Sequence, residues 1–382
     1  MRAPHSPGLS CKLIYAGGAT FSKPCHILLE KIQIGLTIMI LRQPKHLLHL
    51  LLLLAFFLTS CLSPAPQATP TATLTLPPPT ATLTATPTFT PTATLTPTPT
   101  PTATFTPQPP VKRVFILTID GLRPDAIGLA PMPNLQAFIQ TSAYTLSAQT
   151  IFPSSTLPSH ASMFTSLCPS KHGVDWNDYF PERGYANGID LFDLARAARL
   201  QTYMFVGKQK LSQITEPESL TYFRYINDRD LVIAEETIKE FPQDFGVLFI
   251  HFPTPDAMGH EYGWLSAEQL SVLRRADEAI GLLLKALDER GLRENTLIII
   301  TADHGGHNQT HGSRDPQDMT IPWIISGPGV RPGPLTTPIQ TTDTAATAAW
   351  ALRLPRPAEW DGWPVYEAFG VIQIPRAVPF CQ

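Results

Sequence analysis

Within nine residues, Asp303, His304, His307 and His311 bring one carboxylate and three imidazoles together. Carboxylate oxygen and imidazole nitrogen are the donors that zinc and similar divalent ions take. Gly305 and Gly306 lie between them, and glycine lets a tight turn aim several side chains into one space. The alternative is a polar loop whose histidines hydrogen-bond locally, and the stretch alone does not decide. Asp256 and His260 repeat the donor types four residues apart, around Gly259. Read as a loop, that spacing lets both reach one ion. The alternative is a loop acid beside a hydrogen-bonded imidazole. Asp120 is a further acid that either binds a metal or caps the segment after it.

These groups need elements to position them. Asp120 follows the apolar run Val114–Ile119, Asp256 follows Gly246–His251, and Asp303 follows Asn295–Ile300. Short, β-branched apolar runs bounded by polar residues predict buried parallel strands. A further strand is expected over Thr202–Val206, ahead of Gly207-Lys208. Helices are expected over Asn134–Thr141, Gly188–Arg199, Asp228–Glu240, Ser266–Arg290 and Thr341–Leu352. This alternation predicts an α/β fold, a mainly parallel central sheet with helices on both faces. In such sheets sites sit at the carboxyl ends of strands. Ser266 with Gln269 fits a capping box, and Gly291 a helix end. Leu270, Leu273, Ile280, Leu284 and Leu287 form an apolar stripe that includes Asp277, an acid expected to have a partner and given no catalytic role. His251, at a strand's end, reads as a packed residue or one behind a ligand. Tyr179–Glu182 and Lys208–Tyr225 are candidate substrate contacts without assigned roles.

Thr156 is the candidate nucleophile. Pro158 suits the first turn of a helix running to about Ser166, which sets Thr156 just before its amino end. Backbone N–H groups and the helix dipole favour an anion there. A threonine hydroxyl is a poor nucleophile unless a base or metal lowers its pKa. The alternative is that Thr156 or a nearby serine simply caps the helix.

Asp120-Gly121, Phe152-Pro153-x-x-Thr156-x-Pro158-x-His160, Pro169-x-x-His172-Gly173, Asp256-x-x-Gly259-His260, Asp303-His304-Gly305 and Thr310-His311-Gly312 together resemble the alkaline phosphatase superfamily. The branch they resemble is the nucleotide pyrophosphatase/phosphodiesterase family, over roughly Val111–Gly329. The resemblance implies two divalent ions, usually zinc, and a threonine nucleophile between them. It places Asp256, His260 and His311 on one ion. Asp120, Asp303, His304 and the Thr156 oxygen fall on the other. His311 rather than His307 completes the first set, with His307 kept as the alternative. Asn177, five residues after His172, falls where the family binds a phosphate oxygen. Ser155, Leu157 and Ser159 depart from the family's usual residues around the threonine, which bears on the substrate pocket more than on the chemistry. Only six residues separate His304 from His311, so the chain reads as a trimmed version of longer relatives.

The chain has 382 residues and 40 prolines, roughly double an average share of about 5%. Most of that excess precedes residue 111. Residues 1–38 carry no usable pattern and read as an upstream extension. Residues 39–60 read as a secretory signal, with Leu47–Leu58 as its apolar core. Leu58-Thr59-Ser60-Cys61 resembles a bacterial lipobox, which implies lipidation of Cys61. The Pro/Thr-rich tract, residues 61–110, lacks apolar mass for a core and reads as an extended, lipid-anchored tether. The expected location is therefore outside the cytoplasm, anchored to a bacterial membrane, with residues 111–382 as one catalytic domain. Net charge is −3 with no basic block, which gives no support for nucleic-acid binding. Export makes a bond between Cys168 and Cys381 possible, but spacing cannot show it, and the pairing is not expected.

The reaction expected from these residues is hydrolysis of phosphodiester or pyrophosphate bonds in a small phosphate-ester or nucleotide substrate. A phosphomonoesterase or phosphonate hydrolase would use the same ligands. A sulfatase needs a Cys or Ser in a Cys-x-Pro-x-Arg pattern, where this chain has Thr156-Leu157-Pro158-Ser159-His160. The non-enzymatic alternative is a surface lipoprotein that binds a metal or ligand.

Overall fold

Runs of branched apolar residues build the sheet. In the computed structural model the described residues are 111–373 and Cys381. The signal-like segment, Cys61 and the Pro/Thr-rich tract lie outside them. The strands are β1 (Arg113–Ile119), β2 (Ala143–Gln149), β3 (Gln201–Val206), β4 (Tyr222–Tyr225), β5 (Phe245–Phe252), β6 (Thr296–Thr301), β7 (Thr320–Ser326) and β8 (Gly333–Pro334). They form one sheet in the order β4-β3-β5-β1-β6-β7-β2-β8. All neighbours from β4 to β6 pair parallel, and β7 runs antiparallel to β6 and β2. In β1, Leu117 sits level with Ile250 of β5 and Ile300 of β6. Every residue of β5 and β6 is buried. Side chains alternate between the faces of a strand, so both faces of the sheet are covered.

The helices are α1 (Ala126–Leu129), α2 (Pro133–Gln140), α3 (Thr156–Thr165), α4 (Pro169–His172) and α5 (Leu191–Ala197). They continue as α6 (Asp230–Glu240), α7 (Thr254–Tyr262), α8 (Ala267–Glu289), α9 (Pro316–Met319) and α10 (Asp343–Ala351). One layer gathers α2, α6 and α7 around α8, and another gathers α3 and α5 with α10. Among the described residues no helix is long and apolar enough to cross a membrane.

The long helix α8 shows how sequence sets the layer. Leu273, Ile280 and Leu287 are buried on its inner stripe. Ser266 accepts from the Gln269 N–H at 3.2 Å, while the Gln269 side chain takes the Leu265 N–H instead of closing the box on Ser266. Asp277 faces the start of α2, accepting from the Leu135 N–H at 2.7 Å and the Asn134 N–H at 3.0 Å.

Four differences from the sequence reading stand out. Asp256 and His260 lie on helix α7, because Pro255 fits a first helical turn and nothing after it stops the helix before Gly263. Thr156 is the first residue of α3 rather than the residue before it, with Ser155 in extended conformation ahead of it. Strand β2, Ala-Tyr-Thr-Leu-Ser-Ala-Gln, was not evident because it lacks an apolar run; pairing with β7 holds it in the sheet. Cys168 and Cys381 are joined in a disulfide across a sequence separation of 213, which ties the chain's end to the start of α4.

Candidate active site

Three strand ends deliver the acids. Asp120 follows β1 directly, Asp303 and His304 follow β6, and Asp256 and His260 sit on α7 just beyond β5. His311 comes from the loop between β6 and β7, and Thr156 heads α3 after β2. One donor atom from each of Asp120, Asp303 and His304 lies within 4.8 Å of the others. The same holds for Asp256, His260 and His311. The His304 and His311 rings stack with centroids 3.8 Å apart, so the two sets lie side by side.

The backbone is shaped around them. Gly121 has φ +70°, and the Trp264 indole donates to its carbonyl at 2.9 Å. A Cβ on Gly306 would meet that indole at 2.1 Å, so only glycine allows the Asp303–Gly306 turn to pack there.

The hydrogen bonds sort each acid into a held oxygen and a free one. Asp120 Oδ2 accepts from His251 Nε2 at 2.8 Å and Lys208 Nζ at 2.6 Å. Asp256 Oδ2 accepts from Lys208 Nζ at 2.6 Å, and Asp303 Oδ1 from the Gly121 N–H at 3.2 Å. The other oxygens, Asp120 Oδ1, Asp256 Oδ1 and Asp303 Oδ2, are buried without a donor. Asp120 Oδ1 is 3.3 Å from His304 Nε2, and Asp303 Oδ2 is 3.4 Å from it. Asp256 Oδ1 is 3.5 Å from Nε2 of both His260 and His311.

The three histidines are held alike. Nδ1 of His304 donates to the Gly305 carbonyl at 2.7 Å, that of His260 to Gln309 at 3.0 Å, and that of His311 to Ser154 at 2.9 Å. Such a bond fixes the ring and leaves Nε2 to present a lone pair. Donorless buried oxygens facing such nitrogens fit divalent ions.

The electrostatics follow from burial. The Asp303 carboxyl is raised to about 7 by burial and by the Asp120 charge. Burial works against the His304 imidazolium, but the Asp303 and Asp120 charges outweigh it and raise His304 to about 9. That proton balances the acids, and a divalent ion binding Nε2 would replace it. Burial and the neighbouring His304 lower His311 to about 4. Burial raises Asp120, yet Lys208, His251 and His304 hold it well below the usual carboxylate range.

Thr156 is fully buried, with Oγ1 3.4 Å from His304 Nε2 and accepting from Lys208 Nζ at 3.3 Å. Asn177 Oδ1 accepts from the Leu157 N–H at 2.9 Å and Lys210 Nζ at 3.0 Å. Pro158 has no N–H and that of Ser159 donates to Ser155. Less of the helix end is therefore open to an anion than the sequence reading assumed. His251 stands behind Asp120, as one of the two expected placements. His307 is not in either set: its Nδ1 bonds Asp318 at 2.7 Å.

Two lysines of the candidate contact segment Lys208–Tyr225 had no assigned role and prove to be members of the site. Gly207-Lys208 follows the end of β3, the same position that flags the acids, but no motif marks it. A cavity of about 490 Å³ opens beside Lys208 and Lys210, and Tyr179 and Tyr225 also line it. Both candidate contact segments thus meet in one place.

The family model for type I phosphodiesterase / nucleotide pyrophosphatase matches residues 114–190 and 181–315. Bis(5'-adenosyl)-triphosphatase enpp4 of Xenopus laevis is 27% identical over 211 residues, covering 50% of this chain and 47% of that protein. Ectonucleotide pyrophosphatase/phosphodiesterase family member 3 of Bos taurus is 26% identical over 222 residues, covering 50% of this chain and 24% of that one. The chain spans about half the length, or less, of these curated relatives. A structure of murine ectonucleotide pyrophosphatase / phosphodiesterase 5, an inactive threonine-to-alanine variant in complex with AMP, aligns with TM-score 0.58 and 16% identity. It covers 67% of this chain and 99% of that one, and shows the shared alkaline phosphatase-like fold. The residues around Thr156 therefore sit in a member of a known hydrolase group: the chain belongs to the type I phosphodiesterase / nucleotide pyrophosphatase family.

Proposed function

We propose that this chain hydrolyses phosphodiester or pyrophosphate bonds with Thr156 as nucleophile. The observation that carries the reading is the meeting of three buried donorless carboxylate oxygens with three oriented Nε2 atoms, one of which, that of His304, lies 3.4 Å from the Thr156 hydroxyl. In this reading Asp120, Asp303, His304 and the Thr156 oxygen hold one divalent ion, and Asp256, His260 and His311 a second. Zinc suits such a set of imidazoles and carboxylates. Two ions there would polarise the phosphoryl oxygens and make the Thr156 hydroxyl more acidic.

The chain's own residues do the rest. Thr156 Oγ1 gives its proton to solvent and attacks phosphorus. The Oγ1–P bond forms as the bond to the leaving oxygen breaks, and the leaving group takes a proton from solvent. With its oxygen held by Leu157 and Lys210, Asn177 has its amide N–H groups left to hold a non-bridging oxygen. Water then attacks the phosphothreonine, the P–Oγ1 bond breaks, and Oγ1 regains a proton. The substrate is a small phosphate ester or nucleotide; the AMP-bound murine relative supports that class. Cys61 lipidation and the Pro/Thr-rich tether would hold the domain outside the cytoplasm. Transfer of Cys61→Ala from the detergent phase to the aqueous phase is the expected sign.

The test is hydrolysis of bis-p-nitrophenyl phosphate, p-nitrophenyl phosphate and p-nitrophenyl sulfate by the full chain, with and without zinc. Zinc-dependent preference for the diester supports the reading. Preference for the monoester keeps the site and moves the function, and sulfate release moves it to a sulfatase. Thr156→Ala should lose about 10³-fold or more in turnover while still binding two zinc ions. Full activity in that variant would end the mechanism.

A further inference from the structure

Three glycines around the site share one neighbour. A Cβ on Gly306 would meet the Trp264 indole at 2.1 Å, one on Gly259 at 2.8 Å and one on Gly121 at 3.2 Å. Gly121 follows Asp120, Gly259 precedes His260, and Gly306 comes two residues after His304. They lie after β1, on α7 and after β6. One indole therefore fills the space of a missing side chain on each segment that delivers an acid to the site. Glycine lets a backbone approach a ring this closely.

The indole is fixed to that frame. Its Nε1 donates to the Gly121 carbonyl at 2.9 Å, and the Trp264 backbone N–H donates to the Asn308 carbonyl at 2.7 Å. The ring then meets two imidazoles of one proposed ligand set. His260 lies edge-on, with centroids 5.3 Å apart and planes at 84°. His311 lies 5.9 Å away at 70°. His304, of the other set, is fully buried and stacks on His311 instead.

His260 is the ligand most in need of such support. Its side chain is 47% exposed, against 5% for Asp256 and 7% for His311. Its one hydrogen bond goes to the carbonyl of Gln309, itself an exposed residue. An exposed ring keeps rotamer freedom that it must give up when it holds an ion. Packing edge-on against a fixed indole removes part of that freedom in advance.

We propose that Trp264 is a positioning residue: it holds the His260 and His311 rings for the ion that Asp256 completes, and so sets the affinity of that one site. This rests on the two-ion reading above. Asp120, Asp303 and His304 are fully buried, and Lys208 and His251 brace Asp120, so that set keeps its place when the indole is removed.

The test titrates the full chain, stripped of metal, with cobalt(II) followed by its visible absorption. It then measures how much zinc restores hydrolysis of bis-p-nitrophenyl phosphate. The wild type should bind two ions. Trp264→Leu should bind one of them as the wild type does and the other about 10–100-fold more weakly, the usual loss when a group behind a ligand is removed. Half-maximal activity should need correspondingly more zinc, and saturating zinc should restore most of kcat with KM unchanged. Trp264→Phe keeps an aromatic edge beside His260 and should recover part of the loss. Unchanged binding in Trp264→Leu overturns the proposal. Equal weakening of both ions also overturns it, because the indole would then only pack the fold. A thermal melt shows whether Trp264→Leu folds. If it does not, Trp264→Phe carries the decision: a weaker second ion supports the proposal, and wild-type binding of both overturns it. A wild type that binds fewer than two ions overturns the two-ion reading and the proposal with it. A wild type that binds two ions but hydrolyses no ester overturns the reading of the reaction alone, and the titration then supports or overturns the role of Trp264 by itself.

Discussion

Asp277 and Asp256 are both buried helical acids, 1% and 3% exposed, and they are treated in opposite ways. Asp277, on α8, accepts from the Leu135 N–H, the Asn134 N–H and the Asn134 side-chain amide, so both its oxygens are held at the start of α2. Asp256, on α7, has one oxygen on Lys208 and the other without a donor, facing two imidazoles. A buried charge left partly unsatisfied costs stability, and the fold bears that cost three times in one place. The difference separates an acid whose two oxygens are both held by the fold from one with an oxygen left open, as the proposed ligand role requires.

The sharpest way to break that comparison is to neutralise each acid. Asp256→Asn should lose one of the two proposed zinc ions. Its hydrolysis should fall by more than the about 10–100-fold that a change behind a metal ligand costs. Metal analysis and bis-p-nitrophenyl phosphate kinetics check this; full zinc content with full activity would put Asp256 in the class of Asp277. Asp277→Ala should instead keep its metal and kcat but lose about 3 kcal/mol of stability. It removes a charged acceptor and strands the N–H groups of Asn134 and Leu135. Urea unfolding of the metal-loaded protein measures it, and a loss below about 1 kcal/mol would mean that the α2 end is satisfied elsewhere.

The comparison also marks what the sequence could reveal. Strands β1, β5 and β6 were legible because each is a short apolar run, and the acids at their ends were legible because donor types cluster there. Family resemblance, rather than spacing, sorted the acids and histidines into two sets and set His307 aside. Lys208 was named only within a candidate contact segment, and its place between the acids was not legible: its contacts form only when β3 lies beside β5 and β5 beside β1. Strand β2 was hidden for a related reason, since its pairing with β7 comes from tertiary context. Asp256 and His260, on either side of Gly259, were placed on a loop at a strand's carboxyl end. In the fold Gly259 is helical, and a Cβ there would meet Trp264 at 2.8 Å. That glycine serves close packing rather than a turn.

A third buried acid, Asp190, lies between the two extremes. It caps α5 by accepting from the Asp193 N–H at 2.9 Å, yet burial and the charge of Asp193 raise its carboxyl to about 7. The folded protein therefore binds its proton more tightly than the unfolded chain, whose value is near 3.8. The resulting stability is fully present below about pH 4 and is lost as pH rises through about 7. The slope approaches about 1.4 kcal/mol per pH unit in that window. Asparagine also caps helices well, so Asp190→Asn should fold and show a flatter decline in melting temperature between pH 5 and 8. An unchanged decline would remove Asp190 from the set of acids under strain.

The smallest effect is expected at His307, and it tests the histidine side of the same comparison. His307 stands between two proposed ligands in sequence and is chemically identical to them. Its Nδ1 bonds the Asp318 carboxylate, whereas the three site histidines bond backbone carbonyls and turn Nε2 inward. Asp318 also accepts from the Ser313 N–H and hydroxyl, so it stays partly satisfied without the imidazole. His307→Ala should therefore cost about 1 kcal/mol of stability. Its zinc content and kcat should match the wild type, while His311→Ala should lose an ion. If His307→Ala loses the ion and His311→Ala does not, the proposed ligand set must be redrawn around His307. The orientation of Nε2 would then not be what separates a ligand from a brace.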